Sequence, residues 1–185
     1  MIDDVLRDSE GRMKKAIEAV ERELAAIRTG HAHVGLVDHV RVDYFGTSMA
    51  VNQLATVAAP EARLLTIQPW DRNALSAIEK ALLKSDLGLN PSNDGQTIRL
   101  AIPPLTEQRR KDMIKLVHTR VEDGRVAVRN VRRDGNEQIK RLVQGKEASE
   151  DEQHKAQDQL QKLTDRYVAM IDERGRNKET ELSEV

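Results

Sequence analysis

Three long stretches of the chain carry apolar residues at steps of three and four, the spacing of a helix that buries one face. The first predicts a helix over residues 2–28, with Gly30 as its C-cap. The second predicts a helix over Thr106–Val143, without an internal proline and with a favourable N-cap residue. The third begins at the capping box Ser149–Glu152 and is expected to fray past Gly175, where the chain becomes polar. Each helix needs partners for its apolar stripe, so together they predict a three-helix bundle.

Residues 31–104 instead alternate polar and apolar positions, which is the period of half-buried strands. A helix is predicted over Asn73–Ser85. A loop is predicted after it, from Gly88, Pro91 and the run Ser92–Gly95. Trp70 is expected to pack into the core of this segment, which has few other large residues. The segment therefore predicts a small α+β unit. Its predicted strands are His39–Tyr44, Met49–Val51, Ala55–Ala59, Leu64–Gln68 and Thr97–Ile102.

The order of these elements predicts an α+β protein with two domains. Residues 1–30 and 105–185 form a discontinuous three-helix bundle, and residues 31–104 are a domain inserted into it. The second helix would be about 57 Å long, so an elongated molecule is expected. A monomer is expected too, because the bundle can bury its apolar stripes within one chain. Two connections between the domains predict a hinge near 29–31 and 102–105. The hinge residues are Thr29, Gly30, His31, Pro103, Pro104 and Leu105.

Composition and charge narrow the possible functions. The absence of cysteine excludes a disulfide framework, a thiolate zinc site and a cysteine nucleophile. No run approaches the ~18 apolar residues that span a bilayer, and acids replace the basic start of a signal peptide, so a cytoplasmic location is expected. The formal net charge is only −1, but residues 105–143 hold 11 bases against 6 acids, and residues 149–185 hold 6 against 10. Positive charge is therefore concentrated on the second long helix.

The second helix presents its bases on one face. With Arg125 as zero and about 100° per residue, four further bases lie between about 340° and about 80°, whereas the apolar residues are centred near about 280°. The bases are therefore expected in water, where the arginine fork suits phosphate oxygens. Lys111 and Lys115 extend the row towards the start of the helix. We define the basic stripe as Arg125, Arg129, Arg132, Arg133 and Lys140. It predicts a contact with a nucleic-acid backbone.

Three other interpretations of the chain remain open. The stripe could be a solvated helix face, partly offset by Glu122 and Glu137, on an adaptor that binds protein through its bundle. The chain could be a small enzyme with a site between bundle and insert, which requires a buried titrating cluster. His31 and His33 could hold a metal ion, although no nearby cysteine or carboxylate completes a convincing ligand set.

Five motifs occur in order along the whole chain: Arg28–Gly30, Tyr44–Thr47, Ser85–Pro91, Pro103–Lys111 and Val126–Asp134. Together they resemble the bacterial ribosome-recycling factor family. The resemblance implies an L-shaped protein of about transfer-RNA size, with a three-helix bundle and an inserted β/α/β domain. The chain departs from the usual family pattern at three positions. They are His31, where arginine is frequent, Trp70, where phenylalanine is frequent, and Gly135, where alanine is frequent.

The resemblance also implies a function in ribosome recycling after translation termination. The factor is expected to bind the post-termination ribosome and, with elongation factor G and GTP, to promote subunit dissociation and release of messenger RNA and deacylated transfer RNA. It is expected to be neither an enzyme nor dependent on a cofactor, because elongation factor G hydrolyses the GTP. Arg129, Arg132 and Arg133 are implied to contact large-subunit ribosomal RNA, with Arg132 as the first candidate. Arg28 is implied to add a contact near the hinge.

Overall fold

A computed structural model describes residues 1–184, which divide into two compact units. The first unit comprises Met1–Arg28 with Glu107–Glu184, and the second comprises Thr29–Thr106. The α-helices of this part of the chain are α1 (Ile2–Ala25), α2 (Leu75–Lys84), α3 (Glu107–Gln144) and α4 (Glu150–Ser183). Its strands are β1 (Arg41–Tyr44), β2 (Thr47–Ala50), β3 (Ala55–Glu61), β4 (Leu64–Pro69), β5 (Pro91–Asn93) and β6 (Ile98–Ala101).

The first unit is a bundle of α1, α3 and α4, each of which packs against the other two. Its core is mostly aliphatic, because each helix turns one apolar stripe inward, as the sequence predicts, and Tyr167 is the aromatic side chain buried there. The capping box at Ser149 is confirmed: the Ser149 hydroxyl accepts from the Glu152 N–H, and the Glu152 carboxylate accepts from the Ser149 N–H. Fully or almost fully buried side chains include Met13, Ile17 and Val20 of α1, Val117, Val128 and Ile139 of α3, and Leu160, Tyr167 and Ile171 of α4.

Three buried glycines let the bundle helices approach closely. A Cβ atom added to Gly124 would overlap Cγ2 of Val20 on α1, and one added to Gly175 would lie 2.6 Å from Cγ2 of Val121 on α3. A Cβ added to Gly135 would lie 2.9 Å from both Cδ1 of Leu160 and Oγ of Ser9. Larger residues at these crossings would therefore separate the helices.

Two expectations about helix ends are wrong. Helix α4 does not fray past Gly175 but continues to Ser183, because Gly175 packs against α3 and Leu182 is fully buried. Helix α1 ends at Ala25 rather than Arg28. Ile27 lies beyond this end but is still buried, with its N–H bonded to the Leu24 carbonyl. The apolar pattern therefore continues past the last helical residue. Gly30 is therefore not the helix C-cap, although its φ of +77° lies in the region that glycine favours.

The second unit contains a β1–β2 hairpin and a four-stranded antiparallel sheet in the order β3-β4-β6-β5. Helix α2 belongs to the same core, where Ile78 and Leu82 join Leu65, Ile67, Ile98 and Leu100 of the sheet. Residues Leu65 and Ile67 lie opposite Leu100 and Ile98, so their side chains share the covered face. The five predicted strands correspond to β1, β2, β3, β4 and β6, and the predicted helix corresponds to α2. Strand β5 was not predicted.

Two predictions in this unit are wrong. Pro91–Asn93 is a short edge strand paired with β6 and not a loop, since an edge tolerates a proline that cannot donate to a neighbour. Trp70 is 67% exposed instead of packed in the core. Ile67 points inward and Gln68 outward, so the alternation along β4 carries Trp70 to the exposed face. Its indole Nε1 donates to the hydroxyl of Thr56 at 2.9 Å.

Both ends of the inserted unit are fastened to the turn between β3 and β4. The Ala32 N–H donates to the Ala62 carbonyl at 2.7 Å, and the Ile102 N–H donates to the Arg63 carbonyl at 2.8 Å. A Cβ atom added to Gly30 would lie 3.1 Å from Cγ of Leu105. The predicted hinge residues therefore lie just outside the two fastening bonds, and their role as a hinge stays a prediction.

Candidate nucleic-acid interface

All five side chains of the basic stripe lie on α3, a single 38-residue helix. The buried positions of α3 recur on a neighbouring flank of the helix, as the helical wheel predicts, so the stripe lies beside the core and not in it. The five bases do not share one environment, however. Arg125, Arg129 and Arg132 are half-buried, and the first and last of these contact α4, whereas Arg133 and Lys140 are exposed. The contacts of each base decide how much charge the stripe can offer to an anion.

Arg125 is bound within the protein. Its Nε donates to Oδ1 of Asp172 on α4 at 2.7 Å, and its Nη1 donates to Oε2 of Glu122 at 2.9 Å. Hydrogen bonds from Arg125 to Glu122 and Asp172 raise the pKa of its guanidinium above the usual value. The expectation that Arg125 stands free in water is therefore wrong. Its wheel position next to α4 brings it within reach of a carboxylate that lies 47 residues away in the sequence.

Arg132 has a neutral partner instead. Its Nη1 donates to the side-chain oxygen of Gln161 on α4 at 3.2 Å. The amide nitrogen of Gln161 in turn donates to Oδ1 of Asp165 at 2.8 Å. No ion pair involving Arg132 occurs among residues 1–184. Arg132 therefore keeps its positive charge uncompensated by direct contact, while one end of its guanidinium is held in place.

The outer bases are more accessible. Arg129 is 42% exposed in its side chain and reaches Glu122 only at 3.8 Å, which is a weak ion pair at this exposure. Arg133 and Lys140 are exposed and form no hydrogen bond or ion pair within the described chain. The side chains of Lys111 and Lys115 are likewise exposed and form no hydrogen bond or ion pair among residues 1–184. The positive charge that no carboxylate offsets by direct contact therefore lies on the outer side of α3 and at Arg132.

Arg28 is not part of this surface. It lies beyond α1, in a groove lined by Met113 and Arg120 of α3. Arg120 faces Glu23 of α1, whereas Arg125 bonds to Asp172 of α4. The groove and the stripe therefore lie on different flanks of α3, and the structure does not bring Arg28 together with the stripe.

The contacts also bear on the other interpretations. The buried polar residues among positions 1–184 are Ser9 and Thr164, so the described chain lacks the buried titrating cluster that the enzyme interpretation requires. Within the same range, no three His, Asp or Glu side chains are grouped closely enough to hold a metal ion. His31 lies instead 3.1 Å from the hydroxyl of Thr29. No helix in the described residues is long and apolar enough to cross a bilayer.

Comparison with known proteins assigns the chain to a family. A sequence model described as "Ribosome recycling factor" matches residues 20–182. The chain belongs to the ribosome recycling factor family. Its relatives include the ribosome-recycling factor of Thermomicrobium roseum, 55% identical over 185 residues and covering 100% of both chains. That of Nitratidesulfovibrio vulgaris is 57% identical over 184 residues, which cover 100% of this chain and 99% of the relative.

Solved structures of the family show the same fold. A solution structure of the ribosome recycling factor aligns with a TM-score of 0.73 at 42% identity, covering 100% of this chain and 98% of that one. A second structure contains the Thermus thermophilus ribosome recycling factor, bound with Escherichia coli elongation factor G to the E. coli post-termination complex. It aligns with a TM-score of 0.62 at 44% identity over 98% of each chain. The family resemblance and the α+β fold class expected from sequence are confirmed.

Sequence reasoning missed the acidic side of this surface. Asp158, Asp165, Asp172 and Glu179 recur every seven residues along α4. Three of them meet polar or basic groups of the α3–α4 edge: Asp172 binds Arg125, Asp165 binds Gln161, and Glu179 contacts His118. The seven-residue spacing was a signal, because it places all four acids along one edge of a helix. The spacing alone does not identify the bases that they face.

Proposed function

We propose that the chain binds the post-termination ribosome and, with elongation factor G and GTP, promotes subunit dissociation and release of messenger RNA and deacylated transfer RNA. Membership of the recycling factor family over nearly the whole chain carries this proposal. Further support comes from the relative that is bound to a post-termination complex with elongation factor G, at 44% identity to this chain. A cytoplasmic location and a monomeric state belong to the same proposal.

The stripe on α3 is the proposed anchor on large-subunit ribosomal RNA. A straight helix holds its bases at fixed spacing, which suits the backbone of structured RNA, where shape and phosphates are the readable features. Arg129, Arg132 and Arg133 are the main proposed contacts, and Lys140 extends them. Arg125 should contribute less to phosphate binding, because two carboxylates already bind its guanidinium. Arg28 would make a separate contact from its own groove.

The chain itself is proposed to carry no catalysis and to need no cofactor, with GTP hydrolysed by elongation factor G. Its part is then mechanical: the bundle binds RNA, and the inserted unit transmits the motion of the GTPase. The two fastening bonds at Ala32 and Ile102 support a hinge limited to residues 29–31 and 103–105. Few backbone torsions need to change for such a hinge to bend.

The decisive experiment measures binding to isolated large ribosomal subunits as salt is raised, for the wild type and Arg132→Ala. Each phosphate contact contributes about one unit to the slope of log affinity against log salt. We expect a steep slope for the wild type, and weaker binding with a shallower slope for the variant. Arg7→Ala is the matched control, because Arg7 is an exposed arginine of the bundle whose only ion pair in the described chain is a weak one to Asp4.

Two results would count against the proposal. Binding that does not depend on salt, or that is equal in both proteins, would remove the RNA anchor and favour an adaptor that binds protein. Salt-dependent binding without subunit separation, when elongation factor G and GTP are added, would keep the anchor and reject the recycling function. The second assay therefore follows the first.

A further inference from the structure

A chain of two hydrogen bonds leads from the exposed edge of α4 to Arg132. The Arg132 guanidinium donates to the amide oxygen of Gln161 at 3.2 Å, and the amide nitrogen of Gln161 donates to Asp165 at 2.8 Å. An ionised carboxylate can only accept, so Asp165 requires the nitrogen end of the amide. The oxygen end is thereby turned towards Arg132. Asp165 thus decides which atom Gln161 presents to the guanidinium.

This arrangement differs from the one at Arg125. There a carboxylate of α4 binds the guanidinium directly at 2.7 Å and offsets its charge. At Arg132, a neutral amide separates the acid from the base, so the guanidinium is held without being neutralised. One of its five N–H groups is used by Gln161, and the remainder can bind a phosphate. The side chain is therefore ordered before any ligand arrives.

We infer that Gln161 and Asp165 are positioning residues that hold Arg132 in the conformation in which it binds an RNA phosphate. The inference rests on the proposed function, since it needs the stripe to bind RNA. Arginine has several rotatable bonds, and ordering such a side chain on binding weakens association. A side chain already held by its neighbours avoids that cost, which is the general advantage of preorganisation.

The acidic row of α4 supplies a matched control. Asp158 and Asp165 are both exposed acids on the same edge of α4, two turns apart. Asp158 forms no hydrogen bond or ion pair among residues 1–184, whereas Asp165 binds Gln161. Removing either acid takes one negative charge from this edge of α4 and so lowers the repulsion of RNA phosphates. Electrostatics alone therefore predicts tighter binding for both variants, and positioning predicts weaker binding for Asp165→Ala only.

The experiment measures binding of the full chain to isolated large ribosomal subunits at several salt concentrations. We expect Asp165→Ala and Gln161→Ala to weaken binding by about 2- to 10-fold, the range for ordering one arginine side chain. Asp158→Ala should bind as tightly as the wild type or more tightly. Asp165→Asn should recover only part of the lost affinity, because its amide oxygen can accept the same bond but its N–H groups can also donate to Gln161, so the orientation of Gln161 is no longer fixed. In an Arg132→Ala background, Gln161→Ala should cause no further loss.

Several outcomes would overturn the inference. Tighter binding by Asp165→Ala, matching Asp158→Ala, would show that the acid only repels RNA. Tighter binding by Gln161→Ala would show that Gln161 withholds Arg132 from its ligand. A wild type without salt-dependent binding, or equal to Arg132→Ala, would instead reject the RNA anchor and this inference with it. Since both positions are exposed, circular dichroism and the melting temperature should be unchanged in every variant, and a lowered melting temperature would identify a structural role.

Discussion

The close packing of α1 on α3 predicts that Gly124→Ala destabilises the bundle. Alanine forms helix more readily than glycine, by about 1 kcal/mol, so the substitution favours the folded state locally. The added Cβ would, however, overlap Cγ2 of Val20, which is 2% exposed. Valine in a helix has essentially one side-chain rotamer, so Val20 cannot turn away, and the helices must separate. Overpacking of this kind costs about 1–3 kcal/mol.

Gly11→Ala is the matched control for this prediction. Gly11 also lies within a helix, α1, but it is exposed, and a Cβ there meets no atom within 4 Å. It should therefore gain the helix preference of about 1 kcal/mol without any clash. The free energies of unfolding of the two variants should therefore differ only by the cost of overpacking, about 1–3 kcal/mol. For a chain of this length, the difference corresponds to roughly 2–4 °C in melting temperature per kcal/mol.

The assay is chemical unfolding followed by the helical circular dichroism signal, which the bundle dominates. A double-mutant cycle adds Val20→Ala, which removes Cγ2 of Val20, the methyl group that the new Cβ of Gly124→Ala would overlap. The two substitutions should be less destabilising together than the sum of their separate effects, with a coupling on the order of 1 kcal/mol. Equal stabilisation by Gly124→Ala and Gly11→Ala, or strict additivity with Val20→Ala, would refute the reasoning.

Two further predictions concern charged groups. Hydrogen bonds from backbone N–H groups of its own turn, followed by one from an arginine, lower the pKa of Asp94 from 3.8 to about 2. Because this pKa is lowered in the folded state, the stabilisation is present above pH 3.8 and is lost as the pH falls towards 2. Asp94→Asn should thus destabilise the inserted unit at neutral pH and lose that difference in acid, which a pH series of unfolding curves would test. Arg125→Ala should break the bond to Asp172, lower bundle stability by less than about 1 kcal/mol and change the salt slope of RNA binding less than Arg133→Ala does. A larger effect on the slope from Arg125→Ala would contradict the assignment of free charge to the outer side of α3.

Much of the fold could be predicted from local patterns. The steps of three and four placed the three bundle helices, and the capping box placed the start of α4 at the correct residue. The predictions failed where distant residues decide the outcome. Leu182 keeps the last turns of α4 helical by burial, although the flanking sequence is polar. Pro91–Asn93 forms a strand because it pairs with the edge of β6. A segment of three residues is too short for an alternating pattern to predict a strand.

The sequence by itself determined that the bases of α3 lie on one face, since the helical period follows from backbone geometry and needs no partner. It also determined the family, through motifs spread over the whole chain. The tertiary structure alone decided which bases remain free. Asp172 and Gln161 reach Arg125 and Arg132 only because α4 packs beside α3, across separations of 47 and 29 residues. Charge neutralisation depends on distances of a few ångströms, and distances between residues so far apart in sequence are set by the packing of the helices.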